Sequence, residues 1–233
     1  MPVYARFVAN VLCLDFDDTI LVDNTVNLLF EQFGQERRYI LEESGQLRRQ
    51  TVEQRNAALL DCIEAPLEDL RSFVHETARV RPGFADLMEW ARRNDWYPVV
   101  VSNAFDFAVD VVLDDLGFDR VARHCGRTRF DYRWRVRYES PRGIEVADGF
   151  KLSYAAAFKN AGDFVVYAGD GLSDVEPANL AAAVFARGQL WSRLKDTHPR
   201  IYPFETFHEV IAVLDRDASG WLAAFSGDAE RWP

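Results

Sequence analysis

Short apolar runs that close on polar clusters recur along the chain, and stretches with helical spacing separate them. The runs are residues 11–14, 97–101, 164–168 and 183–186. Continuous apolar runs of this length are typical of parallel strands that are buried on both faces. The pattern therefore predicts an α/β fold in which helices cover both faces of a parallel sheet.

Acidic, hydroxyl and amide side chains follow three of the runs. Asp15 and Asp17 come after the first run, Ser102 and Asn103 after the second, and Asp170 after the third. In open, Rossmann-like sheets, ligands bind outside the carboxyl ends of the strands. We therefore expect these side chains to meet at one edge of the sheet, where paired carboxylates suit a hard cation or carboxylate chemistry.

A long segment with helical spacing, residues 22–80, separates the first run from the second. It is predicted to be helical throughout and to form a small cap, with Pro66 in the first turn of its third helix. Residues 1–21 and 81–233 then make up a discontinuous core. The apolar positions of the cap recur in residues 27–33, 57–63 and 67–74.

A further helix is predicted after the second run. Residues 105–116 have helical spacing and stop at Gly117, a common C-terminal signal. The amides of Asn103 and Ala104 are expected to open this helix, whose positive end favours an anion.

Residues 127–139 alternate strictly between two kinds of side chain. A period of two, followed by 141–143 as a turn and 144–146 as a returning strand, predicts a β-hairpin in the core. Its arginines form either a surface for an anion or partner, or the solvated face of a half-buried hairpin. The solvated face is favoured, because arginine is ordinary on an exposed strand. The charged positions are Arg127, Arg129, Asp131, Arg133, Arg135, Arg137 and Glu139.

Four short motifs, in this order, resemble those of the haloacid dehalogenase-like superfamily. They are Asp-x-Asp-x-Thr at 15–19, Ser102 after the second run, Lys151 at the start of a helical stretch, and Gly-Asp-x-x-x-Asp at 169–174. The resemblance implies hydrolysis of a small phosphate monoester, with Asp15 as the nucleophile that forms an aspartyl-phosphate. It also implies that Asp17 protonates the leaving oxygen and then activates water.

The resemblance also implies a metal and a set of binding residues. Neighbouring carboxylates raise one another's pKa, and Mg²⁺ supplies a counter-charge with a preference for oxygen ligands. The implied Mg²⁺ ligands are Asp15, the carbonyl of Asp17, and Asp170. The implied phosphate-binding residues are Ser102, Asn103 and Lys151. Thr19 is expected to fix the first loop, and Asp174 to hold a metal-bound water or Lys151, or to cap the helix that follows it.

Two positions depart from the superfamily pattern. Asp18 stands where glycine is common, and Asn103 and Ala104 replace two glycines after Ser102. The second change narrows the space beside the phosphate. Neither change removes a catalytic group.

The position of the cap resembles that of the phosphoserine phosphatase-like branch. Segments 22–25, 169–180 and 201–207 resemble phosphatases of 2-hydroxy-3-keto-5-methylthiopentenyl-1-phosphate, a substrate of methionine salvage. Asp23 and Asn24 are interpreted equally as substrate contacts or as a helix N-cap. Phosphoserine phosphatase is the alternative, although no glutamate closely follows the first motif to bind an amine.

Two other classes of function remain open. A phosphotransferase or mutase would use the same Asp15 and differ only in whether water or an alcohol accepts the phosphoryl group. A non-catalytic binding protein is disfavoured, because it would be expected to have lost Asp15, Asp17, Lys151 or Asp170, and all four are present.

Composition narrows the partners. The 233-residue chain has a formal net charge of −10, which opposes non-specific binding to nucleic acid. Three cysteines without a Cys-x-x-Cys pair favour a reducing compartment, and no apolar run approaches membrane length. We expect a cytoplasmic enzyme without a membrane partner. The apolar residues of the tail, 218–233, are expected to pack on the core or on the second subunit of a homodimer.

Overall fold

The computed structural model describes residues 8–34, 39–41 and 43–229. Within these ranges, seven strands form one sheet in the order β4-β3-β2-β1-β5-β6-β7. All neighbouring strands are parallel except β3 and β4. The strands are β1 (Asn10–Leu14), β2 (Trp96–Phe105), β3 (Ala122–Asp131), β4 (Arg133–Arg137), β5 (Phe164–Gly169), β6 (Ala183–Ala186) and β7 (Ile201–Pro203).

Helices pack on both faces of the sheet, as the apolar runs predict. Leu12 and Leu14 of β1 belong to one apolar cluster, and the alternate residues Val11 and Cys13 belong to a second. The helices are α1 (Thr25–Phe33), α2 (Val52–Leu60), α3 (Leu67–Thr77), α4 (Phe84–Arg93), α5 (Asp106–Asp115), α6 (Phe150–Ala161), α7 (Val175–Ala178), α8 (Gly188–Leu194) and α9 (Phe207–Ala229). The predicted α/β fold is confirmed.

The expectation that the insert is helical throughout is wrong. Helices α1, α2 and α3 are present, but α2 ends at Leu60, and the following residues turn so that Ile63 is buried. Pro66 is the N-cap of α3 and does not lie in its first turn. Proline disfavours helical backbone in the residue before it, which separates α2 from α3. Residues 35–38 and 42 of the insert lie outside the described residues.

The insert leaves the sheet and returns to it at adjacent points. Leu21 and Val80 form an antiparallel bridge, and the Arg81 amide donates to the carbonyl of Ile20 at 2.8 Å. The Val22 amide donates to the Arg79 carbonyl at 2.8 Å. These contacts fix the two ends of the insert to each other, next to the loop that follows β1. The division into core and cap stays a prediction.

Strand β2 is longer than its apolar run, which corrects one expectation. Asn103 and Ala104 lie within the strand, and α5 begins at Asp106. The strand continues because these residues are buried, and its pairing with β3 shifts register between Val101 and Phe105. The amides of Asn103 and Ala104 therefore do not open a helix.

The chain reverses twice in this region, and only the second reversal is the predicted one. Strands β3 and β4 pair antiparallel around Tyr132, whose φ of 58° reverses the chain. The alternation of side chains does not reveal that Tyr132 adopts a left-handed backbone conformation, so the sequence pattern could not predict this reversal. The predicted turn at 141–143 is also present, since the Gly143 amide donates to the Ser140 carbonyl at 2.8 Å, and the return is short, with the Val146 amide donating to the Tyr138 carbonyl at 2.8 Å beside a bridge between Glu139 and Glu145. Arg127 pairs with Arg137, so the arginines share one face, as predicted.

The described part of the C-terminal tail packs on the core. In α9, the Trp221 ring lies 5.7 Å from that of Tyr202, and the Phe225 ring lies 5.1 Å from that of Phe164. Residues 230–233, with Trp232, lie outside the described residues, and the homodimer stays a prediction. Among the described helices, none combines the length and the apolar character that crossing a membrane requires.

Candidate active site

Strand β1 delivers Asp15 to the carboxyl edge of the sheet. Its amide donates to the carbonyl of Ala168 in β5 at 2.9 Å, and its Oδ1 accepts from the Phe16 amide at 2.7 Å. The chain then curls, because Asp17 is extended and Asp18 has a φ of 58°. The curl is possible without glycine at position 18, since aspartate tolerates left-handed backbone better than most residues.

Lys151 lies between two carboxylates. Its Nζ is 2.8 Å from Oδ2 of Asp15 and 2.7 Å from Oδ1 of Asp174. All three side chains are buried. Burial lowers the pKa of the Lys151 ammonium, but the charges of Asp15 and Asp174 outweigh burial and raise it overall. The lysine is therefore charged and fixed in place.

Asp174 is held by donors from β5 and the loop after it. Its Oδ1 accepts from the Tyr167 hydroxyl at 2.6 Å, and its Oδ2 accepts from the amides of Gly171 at 2.9 Å and Asp170 at 3.2 Å. A Cβ atom at Gly169 would lie 2.7 Å from Cγ of Asp174, so the close approach needs glycine there. Asp174 occupies the N-cap position of α7, but its side chain accepts no hydrogen bond from the amides of that helix, so it does not cap α7 as one interpretation expected.

Asp17 contacts the start of helix α1. Its Oδ1 accepts from both the amide and the hydroxyl of Thr25, at 2.8 and 2.7 Å. Burial raises the pKa of the Asp17 carboxyl to about 6, although these hydrogen bonds lower it. A carboxyl group of this kind can exchange a proton near neutral pH.

Three carboxylates form a cluster that could bind a metal ion. One oxygen from each of Asp15, Asp170 and Asp174 lies within 4.8 Å of the others. Burial and then the charge of Asp174 raise the pKa of Asp15 well above its usual range, and the same two causes raise that of Asp170 to about 7. The Thr19 hydroxyl donates to Oδ1 of Asp170 at 3.4 Å. Crowded oxygen donors of this kind fit a hard divalent cation.

Ser102 and Asn103 complete the pocket from strand β2. The Ser102 hydroxyl oxygen accepts from the Ala104 amide at 3.2 Å. The Asn103 carbonyl accepts from Asn56 Nδ2 at 2.9 Å and from the Tyr138 hydroxyl at 2.7 Å. A cavity of about 140 Å³ brings Ser102 and Asn103 together with Asp15, Asp17, Asp170 and Lys151.

The two predicted specificity residues have different environments. Asn24 lines this cavity and also caps α1, since its Oδ1 accepts from the Asn27 amide at 3.0 Å. Asp23 pairs with Arg79 through both carboxylate oxygens, at 2.5 and 2.7 Å. The N-cap interpretation is confirmed for Asn24, while Asp23 serves an ion pair.

Sequence reasoning missed residues that lie far from the motifs in the sequence but contribute to the site. Arg55 and Asn56 of α2 line the cavity, although nothing in their helical spacing marks them. Arg81 is 4% exposed and donates to the carbonyls of Asp18 and Thr19, each at 2.7 Å. It therefore supports the loop that carries Asp17.

Replacing Arg81 with methionine is expected to lower the free energy of unfolding by about 3 kcal/mol, because buried carbonyls lose their donors. Arg79→Met is the matched control two residues away. It removes an exposed ion pair, and exposed pairs contribute little. Urea unfolding of both variants measures the difference. Equal losses would contradict the supporting role of Arg81.

A protein-family comparison decides the family. The model of the haloacid dehalogenase-like hydrolases matches residues 12–178. The chain belongs to this family. The matched region contains Asp15, Ser102, Lys151 and Asp170, the residues on which the resemblance was based. The predicted family is therefore confirmed.

Relatives of this hydrolase are named phosphatases. A 2-hydroxy-3-keto-5-methylthiopentenyl-1-phosphate phosphatase of Bacillus mycoides (strain KBAB4) is 26% identical over 88% of this chain and 94% of its own. A polyol phosphate phosphatase of Saccharomyces cerevisiae is 28% identical over 90% and 94%. These relatives confirm the prediction of a phosphatase-type member of the family.

Solved structures share the fold. A phosphoserine phosphatase, as an analogue of its phospho-aspartyl intermediate, superposes with a TM-score of 0.65 at 18% identity, over 88% of this chain and 99% of its own. A phosphoserine phosphohydrolase-like protein from Francisella tularensis has a TM-score of 0.63 at 16% identity, over 89% and 100%. At these identities the likeness concerns the fold alone.

Proposed function

We propose that this hydrolase is a Mg²⁺-dependent phosphatase that cleaves a small phosphate monoester through an aspartyl-phosphate on Asp15. The observation that carries the proposal is the buried Lys151, whose Nζ lies 2.8 Å from Asp15 at the carboxyl edge of the sheet. A carboxylate and a fixed cation at one point suit attack on phosphorus and stabilisation of the resulting charge.

Asp15 attacks the phosphorus atom and forms the P–O bond to its carboxylate, while the bond from phosphorus to the alcohol oxygen breaks. Forming this intermediate splits one difficult displacement into two easier ones. The hydrogen bond from the Phe16 amide orients Asp15. Because Lys151 is also held by Asp174, the cation stays in place while Asp15 reacts.

Asp17 gives a proton to the departing alcohol and later takes one from the water that attacks the aspartyl-phosphate. Thr25 holds the Asp17 carboxyl through two hydrogen bonds to one oxygen, which fixes its orientation. Ser102, Asn103 and Lys151 bind the phosphoryl oxygens, on which negative charge gathers during transfer.

Asp15 and Asp170 would hold Mg²⁺ with the carbonyl of Asp17, and Asp174 would support the site through Lys151. The carboxylate oxygens of Asp15 and Asp170, which lie within 4.8 Å of each other, support this assignment. When bound, Mg²⁺ supplies positive charge that keeps the carboxylates ionised and offsets charge on the phosphoryl oxygens.

Removing divalent metal is expected to stop phosphate release, because the carboxylate cluster then lacks its counter-charge. Release from acetyl phosphate and from alkyl phosphate monoesters is measured after treatment with EDTA and again after adding back Mg²⁺. The expected result is background release that returns with Mg²⁺. Full activity in EDTA would contradict the metal assignment.

Residues 22–80 act as the cap over this site in the proposal. Asn24 and Arg55 of the insert line the cavity, and the two ends of the insert are bridged to each other through Leu21 and Val80. The names of the relatives support a small phosphorylated metabolite as substrate. Phosphate release without an added alcohol acceptor distinguishes this phosphatase from a phosphotransferase or mutase.

A further inference from the structure

The side chain of Asn103 is buried without partners. The residue is 6% exposed, and within the described part of the chain neither its Nδ2 nor its Oδ1 has a hydrogen-bond partner. Buried polar atoms are nearly always paired, and leaving them unpaired costs free energy. Two unpaired atoms on one buried amide therefore mark a place where another molecule completes the hydrogen bonds.

Asn103 lines two cavities. One is the catalytic cavity of about 140 Å³, and the other, of about 470 Å³, lies towards α6 and α8; we refer to the second as the outer chamber. The two cavities share Val52, Asn103, Lys151 and Ser173 in their walls. A phosphate ester bound at Lys151 can therefore extend its alcohol part past Asn103 into the outer chamber.

The charges of the outer chamber disfavour an anionic alcohol part. Its wall contains Glu53, Asp148 and Glu176, against Arg193 and Lys151, and Lys151 already pairs with two carboxylates. Glu53 is buried, and its Oε1 accepts from the Phe150 amide at 2.9 Å. A carboxylate placed here would face more negative than positive charge.

The unpaired amide defines the partner more closely. Nδ2 requires an acceptor and Oδ1 requires a donor. A hydroxyl group can do both, whereas a carboxylate only accepts and an ammonium only donates. A neutral chain with several hydroxyl groups fits both the amide and the charge of the chamber.

We propose that the outer chamber binds the alcohol part of the substrate, that Asn103 selects it through its carboxamide, and that the substrate class is phosphate esters of neutral, hydroxylated alcohols. The inference rests on the proposed phosphatase function. It assigns to Asn103 a role towards the alcohol, in addition to the phosphate binding inferred from its position.

The test compares three substrates in the presence of Mg²⁺. Glycerol 1-phosphate and O-phosphoserine both have three carbons, but the first carries hydroxyl groups where the second carries an ammonium and a carboxylate. Acetyl phosphate has a leaving group that is too small to reach the chamber. The wild type is expected to show at least tenfold higher kcat/KM for glycerol 1-phosphate than for O-phosphoserine. Asn103→Ala is expected to reduce kcat/KM at least tenfold more for glycerol 1-phosphate than for acetyl phosphate.

Leu172→Trp provides a second variant, whose substitution should not disturb the fold. Leu172 is 55% exposed and lines the outer chamber, so a larger side chain fits at the surface and narrows the chamber. It is expected to raise KM for glycerol 1-phosphate at least fivefold more than KM for acetyl phosphate.

Three results would overturn the inference. Preference of the wild type for O-phosphoserine would show that the chamber accepts charged groups. If each variant changed kcat/KM or KM equally for glycerol 1-phosphate and acetyl phosphate, Asn103 would contact only the phosphate group and the outer chamber would not bind the alcohol part. Absence of release from all three substrates would overturn the proposed function itself, and this outcome differs from the other two because acetyl phosphate would also be inert.

Discussion

Asp15→Asn is expected to reduce phosphate release by roughly four orders of magnitude or more, because the amide has nearly the same shape as the carboxylate but cannot form the aspartyl-phosphate. The amide oxygen can still accept from the Phe16 amide, so the loop should keep its conformation. The variant loses the ion pair between Asp15 and Lys151 but also loses the repulsion from Asp174, and Lys151 keeps its ion pair with Asp174, so the fold should persist. Initial rates with acetyl phosphate and glycerol 1-phosphate measure the effect.

Asp163→Asn is the matched control for this prediction. Asp163 lies at the opposite end of the sheet, where its Oδ1 accepts from the Ala9 amide just before β1. Its replacement removes one carboxylate near the same strand without touching the site. Near wild-type rates are expected for Asp163→Asn. Substantial activity in Asp15→Asn would assign the nucleophile to another residue.

Asp17→Asn is expected to lower kcat for glycerol 1-phosphate by about 10² to 10⁴, the usual contribution of a general acid or base. The fold should persist, because the amide oxygen still accepts from the backbone and hydroxyl of Thr25. Acetyl phosphate has a good leaving group, so formation of the aspartyl-phosphate from it needs little help from an acid. Hydrolysis of the aspartyl-phosphate still needs Asp17 as the base, so this second step becomes slow and the intermediate should accumulate.

Thr25→Val is the control that separates chemistry from orientation. It removes the hydroxyl donor to Asp17 but keeps the backbone donor, so a smaller loss of kcat is expected. Equal rates for Asp17→Asn and the wild type on glycerol 1-phosphate would contradict the role of Asp17 as acid and base.

The sequence was sufficient for the parts of the fold that depend on local pattern and order. The apolar run before Asp15 predicts a strand buried on both faces, because such a strand has no polar side to expose. The carboxyl ends of parallel strands share an edge, which is why Asp15 and Asp170 could be placed together from their positions alone. The order of motifs added Lys151, which has no local signal beyond the start of a helix.

The remaining contacts depend on packing between distant residues. Arg81 reaches the carbonyls of Asp18 and Thr19 only because the insert returns beside β1. The Tyr167 hydroxyl is the partner of Asp174 because β5 brings them together, and nothing in an apolar run marks one tyrosine as a donor. Likewise, Asn103 remains in β2 because it is buried by the surrounding residues. Side-chain alternation and turn-forming residues in the sequence do not predict this burial.

The most direct test of the central claim is to trap the covalent intermediate. Asp17→Asn is mixed with acetyl phosphate and Mg²⁺, quenched with acid, digested, and examined by mass spectrometry, with Asp15→Asn/Asp17→Asn as the control. The account predicts one added phosphoryl group on the peptide that contains Asp15, and none in the double variant. A phosphoryl group on a different residue, or turnover without a labelled peptide, would contradict it.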